Sequence, residues 1–119
     1  LPDGEYIALE YNNRIAGGTC IDLYNYSYNI SLYEIYADVV LDNSVPEIST
    51  NKYTIALSRR NKYNYMYSLD EIRAKYLHEL RMIFYVPEVF SIAMGDIIII
   101  ISVDNKNQIN EVMDYVQKI

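Results

Sequence analysis

The strongest hydrophobic signal in the chain is a run of five isoleucines at 97–101, set between Gly95-Asp96 and the polar stretch Asp104–Asn107. A bilayer span needs about 20 apolar residues, and this run with its neighbours offers about seven. A short block of β-branched residues bounded by turn signals reads instead as a strand covered on both faces. The pattern therefore predicts a strand over 96–103, near the centre of a sheet on which helices lie.

Alternation and helical spacing divide the rest. Residues 5–11 and 19–24 read as short strands, separated by Asn12-Asn13 and Gly17-Gly18. Ser31 and Glu34 have the spacing of a capping box, and Ile35, Tyr36, Val39 and Val40 follow on one face, predicting a helix over 31–43. Residues 52–58 and 62–67 read as two strands of a hairpin turned at Arg59-Arg60-Asn61. A second capping box, Ser68 to Glu71, opens a helix predicted to run over 69–83 on Leu69, Ile72, Tyr76, Leu80 and Ile83. A short helix follows at 86–92, with Pro87 in its first turn, where an N–H would lack a partner anyway. After the isoleucine strand, Asp104 or Asn105 caps a last helix with Ile109, Val112, Met113 and Val116 inward. The expected fold is α+β, a small mixed or antiparallel sheet of three to five strands with helices packed on it, in one domain over 1–119.

Composition agrees with a folded chain: 51% of residues are hydrophobic and 22% charged. The 14 tyrosines, without a tryptophan, read as composition rather than as a functional signal. The single Cys20 cannot form an internal disulfide, and its apolar surroundings predict a small buried hydrophobe. Nothing in the opening residues reads as a signal peptide, so the expected compartment is cytoplasmic, with no membrane contact.

The chemistry is sparse. One histidine and one cysteine do not supply a zinc site or a Cys–His pair with its carboxylate, and His78 falls off the apolar stripe as a surface residue. Neither phosphate-binding glycine pattern occurs. Asp70 and Glu71 fit a helix N-terminus, where the dipole favours carboxylates. The sequence therefore points to no catalytic residue, metal or cofactor. One patch has a binding character: Arg59, Arg60 and Lys62, joined by Arg73, beside Tyr63, Tyr65 and Tyr67. On a strand the three rings would share a face, where bases stack and cations meet phosphates. The net charge of −6 opposes a polyanion, and an ordinary solvated hairpin explains the same residues. The residues favour a binding or regulatory module over an enzyme.

From Ser68 onward the chain resembles the PRPK-binding protein family, the small kinase-binding subunits of the KEOPS (EKC) complex. The matching positions are Ser68, Leu69, Tyr76, Leu77, Arg81, Ile83, Glu88, Phe90, Ile92 and Gly95, followed by the strand to Val103. Upstream, residues 21–25 and Tyr36-Ala37 look like the family's strand and alanine-containing helix. Ile72 stands where the family has Glu, Ser91 where it has Gly, and Val86-Pro87 where it has Ala-Ile. The resemblance implies a non-catalytic subunit. Its partners would be the complex's small protein kinase and tRNA, in threonylcarbamoyladenosine tRNA modification. Residues 86–96, with the strand and helix after them, also look like the large subunit of molybdopterin synthase, of molybdenum cofactor biosynthesis. There Pro87-Glu88 replace a His-Arg pair, and the catalytic lysine segment has no counterpart. An α+β interaction domain outside both families is the third reading.

Overall fold

A computed structural model describes residues 16–42, 47–49 and 52–119. The strand expected at 5–11 lies outside the described residues. The elements run α1 (Cys20–Tyr28), α2 (Leu32–Asp42), β1 (Tyr53–Arg59), α3 (Leu69–Lys75), β2 (Leu80–Tyr85), α4 (Glu88–Met94), β3 (Ile97–Val103) and α5 (Gln108–Gln117). The fold is α+β, with a three-stranded antiparallel sheet ordered β1-β3-β2.

The isoleucine run is the central strand. Side chains alternate across a strand, so burial of consecutive residues requires cover on both faces. Ile98 through Val103 are all buried, and Ile99, Ile100 and Ile101 are completely enclosed. The odd-numbered face of β3 joins Leu57 to Ile72 and Tyr76 of the α3 segment and to Val112 and Val116 of α5, which form the main core. The even-numbered face carries Ile100 and Ser102, whose hydroxyl lies 2.9 Å from that of Thr54. Helix α1 packs on β1 and β3 and buries Ile21.

Four expectations are corrected. Residues 19–24 belong to a helix, not a strand. At helical spacing Tyr24 and Tyr28 stack at 6.1 Å, and Asn29 ends the helix in the left-handed conformation, which Asn tolerates better than most residues. Asn25 then ties α1 to α2, its Oδ1 accepting from Leu32 N at 2.8 Å. As a result Cys20 lies exposed at the start of α1 rather than buried.

In the second correction, the helix expected over 69–83 stops at Lys75, and 80–85 is strand β2. Tyr76 leaves helical geometry, and Leu80 N returns to Tyr76 O at 2.7 Å to close a turn. Leu80 and Ile83 still pack on the core, now from a strand, so the apolar spacing was compatible with both structures.

Third, residues 62–67 are not a strand. Their polar groups are taken elsewhere: Met66 N donates to Lys118 O at 2.8 Å, and the Tyr65 hydroxyl accepts from Arg60 N at 3.0 Å. Tyr67 stacks on Tyr115 with ring centroids 3.8 Å apart. The hairpin is replaced by a loop folded against the end of α5.

Fourth, two helix faces are narrower than expected. Tyr36 and Val40 of α2 and Met113 of α5 are exposed, while Val112 and Val116 are buried as expected. The remaining turn elements follow the local sequence. Ser68 and Glu71 form the full capping box, and Ser31 Oγ accepts from Glu34 N at 3.4 Å. Neither Asp104 nor Asn105 caps α5: its N-cap is Asn107, without a side-chain cap bond, and Asn105 Oδ1 accepts from Asn107 N at 2.9 Å in the turn before it.

Candidate functional site

Of the four cations proposed for nucleic acid, three are engaged by other groups of the protein. Arg59 is the residue most removed from solvent among them, only 5% exposed. It ends β1 on the core side, where its Nε and Nη2 donate to Val116 O and its Nη1 to Tyr67 O at 2.8 Å. The guanidinium carbon also sits 4.3 Å from the centre of the Tyr65 ring. Burial pulls its pKa down, with Tyr65 and Tyr115 acting in the opposite sense. A guanidinium stays charged in proteins even so. Its charge is met by the Val116 carbonyl at the C-terminal end of α5, the negative end of the helix dipole, by the Tyr67 carbonyl, and by the negative face of a ring. Arg59 is a buried clamp, its three donor nitrogens already engaged.

Arg60 is also committed. Its two terminal nitrogens donate to Ser91 O at 3.0 Å and Ile92 O at 2.9 Å, late carbonyls of α4. Arg73 pairs with Asp70 at 2.7 Å, one helical turn away. Lys62 stays on the surface, 4.9 Å from the centre of Tyr63. Of the four, Lys62 alone has no hydrogen-bond acceptor among the described residues. His78 is an exposed turn residue.

What Arg60 secures is the more distinctive surface. Helix α4 buries none of its seven residues, and Val89, Phe90 and Ile92 are each more than half exposed. A helix that exposes this much apolar side chain is expected to be covered by something. Here the segment is held at both ends instead. Pro87 starts it, and Gly95, at φ +85°, closes it against β1. A Cβ on Gly95 would lie 3.0 Å from Arg59 O, an approach only glycine permits without a shift. Phe84 and Tyr85, separated from Pro87 by Val86, extend the exposed apolar sequence. The sequence points only to a short helix at 86–92 and does not single out its exposed apolar side chains.

A groove of about 500 Å³ lies between α1 and the Tyr53 end of β1, lined by Cys20, Tyr24, Ser27, Lys52 and Thr54 among others. The Lys52 ammonium at its edge is bound to Asp104 at 2.7 Å. Among the described residues no three His, Cys, Asp or Glu side chains come together as a metal site, and no helix is long and apolar enough to cross a membrane.

No protein family, curated protein or solved structure is matched by the chain.

Proposed function

We propose that this domain is a non-catalytic binding subunit that docks a protein partner on the outer side of α4. Following its resemblance to the KEOPS small subunits, the partner is the small protein kinase of that complex. The observation that carries the reading is the exposure of Val89, Phe90 and Ile92 on a helix fixed in place by Arg60. Contiguous exposed apolar side chains mark interaction sites, and a helix laid against a groove is a recurring mode of recognition. Among the positions that resemble the family, Glu88, Phe90 and Ile92 lie on this helix, and Gly95 caps it. In this reading tRNA is handled by the complex, because Arg59, Arg60 and Arg73 are already engaged.

The test is binding of the full chain to the purified small kinase, with Ile92→Asp as the variant. Ile92 is 86% exposed, so the substitution leaves the fold intact. Loss of affinity by about tenfold or more is expected if Ile92 is an anchor of the interface. A kinase that does not bind the parent chain, or binds both chains equally, would remove this reading.

A further inference from the structure

The two edges of the sheet are finished differently. In β1, Arg59 O accepts from Asp96 N at 2.8 Å, so the even-numbered residues turn their backbone groups away from β3. That outer edge is covered at both ends: Lys52 N donates to Ser27 O at 3.0 Å, and Ser58 O accepts from the Gln117 amide at 3.4 Å. In β2, Val86 N donates to Asp96 O at 2.9 Å, so Met82, Phe84 and Val86 turn inward to β3. Ile83 and Tyr85 then turn theirs outward, and no hydrogen bond from another described residue reaches them. An edge of this kind is a template for another strand.

Among the described residues, the open stretch has defined limits. A bulge between Leu80 and Met82 interrupts it at Arg81, and Pro87, which has no N–H, ends it. Between them residues 82–86 read Met, Ile, Phe, Tyr and Val, with Phe84 at the centre. Phe84 and Tyr85 are 38% and 62% exposed.

We propose that a second copy of this chain pairs antiparallel along this edge, about a two-fold axis at Phe84, joining two three-stranded sheets into one. The register follows from which groups face outward. Ile83 exchanges backbone bonds with the partner's Tyr85, and Tyr85 with the partner's Ile83, about four bonds in all. Phe84 faces the partner's Phe84 at a non-hydrogen-bonded site, and Met82 faces the partner's Val86. The opposed residues over 82–86 are aliphatic or aromatic. The charges at the ends are complementary, because Arg81 falls opposite the partner's Pro87, beside the partner's Glu88. An isologous contact needs a surface that complements itself in this way. A foreign strand would gain the same backbone bonds but not the repeated matching of both ends.

Sedimentation equilibrium of the full chain should show a mass rising with concentration from 13.9 kDa towards twice that value. Phe84→Lys should stay at the lower mass with unchanged circular dichroism. The register is tested separately in a Cys20→Ser background. Opposed Cα atoms at a non-hydrogen-bonded site lie about 4.5 Å apart, within disulfide reach. Mild oxidation of Phe84→Cys should therefore give a covalent dimer, and Ser58→Cys on the other edge should not. A parent chain that stays monomeric, a Phe84→Lys chain that still dimerises, or equal cross-linking at both edges would each overturn the proposal.

Discussion

Arg59 occupies a strand position that on pattern alone belongs to the core, and its charge is accommodated there without a carboxylate contact. Three donor nitrogens meet two carbonyl oxygens, Val116 O and Tyr67 O, and the cation lies against the Tyr65 ring. One side chain thus joins the end of β1, the loop before α3 and the last turn of α5. Removing it would leave those carbonyls without their donor in a site closed to solvent. Arg59→Met keeps a long apolar stem, and it should still lower stability by about 1–3 kcal/mol, the range for hydrogen bonds to a charged group. Lys62→Ala, three residues on and exposed, should change stability by no more than about 0.5 kcal/mol. Urea unfolding of the two variants compares them directly, and equal stabilities would contradict the clamp. In sequence the two residues look alike, as neighbouring cations beside tyrosines. The difference between them is set by residues 57 positions away, at Val116.

At the scale of the element, local chemistry and long-range pairing divide the segment 68–85 between them. Its start follows from four residues. Ser68 N donates to Glu71 Oε2 at 2.7 Å, and Glu71 N donates to Ser68 Oγ at 3.2 Å. The bonds from the Ser68 backbone and side chain hold the Glu71 carboxyl below its ordinary value. A carboxyl depressed in the folded state contributes stability that is complete above its unfolded pKa, about 4.3 for glutamate. That contribution disappears as pH falls through the lower, folded value. The stability difference between the parent and Glu71→Ala should therefore be constant near neutrality and shrink as pH drops below about 4. Denaturant titrations at a series of pH values measure it, and a difference independent of pH would show that the carboxylate does not cap. The end of α3 has no comparable local signal. Leu80 and Ile83 reach the core whether the segment is helical or extended. The strand forms because β3 needs a second neighbour for its backbone groups, and Leu80–Tyr85 supplies it.

For the molecule as a whole, the isoleucine strand organises the sheet, and its two faces recruit the helices. Stability comes from this burial, with no disulfide and no metal cluster among the described residues. Neither a chelator nor a reductant should move the thermal unfolding transition. A drop in melting temperature on chelation would reveal a metal that the side-chain arrangement does not account for. The surface is apolar at α4 and along the neighbouring β2 edge, and the two proposed contacts use these features.

The α+β class, the central position of 97–101, the capping box at Ser68 and the inward Val112 and Val116 were legible in the sequence, because each depends on a few neighbouring residues or on a strong local periodicity. Three other features were decided by tertiary structure. Residues 20–28 are helical because Ile21 is buried where that helix meets the sheet. Residues 62–67 form a loop because α5 and Lys118 take up the groups a hairpin would have paired. Three of the cations beside this loop are taken up by other groups: Arg59 by Val116 and Tyr67, Arg60 by α4 and Arg73 by Asp70. A guanidinium offers donors in every environment, and whether they meet a phosphate, a carboxylate or a helix end is settled by what the rest of the chain brings beside it.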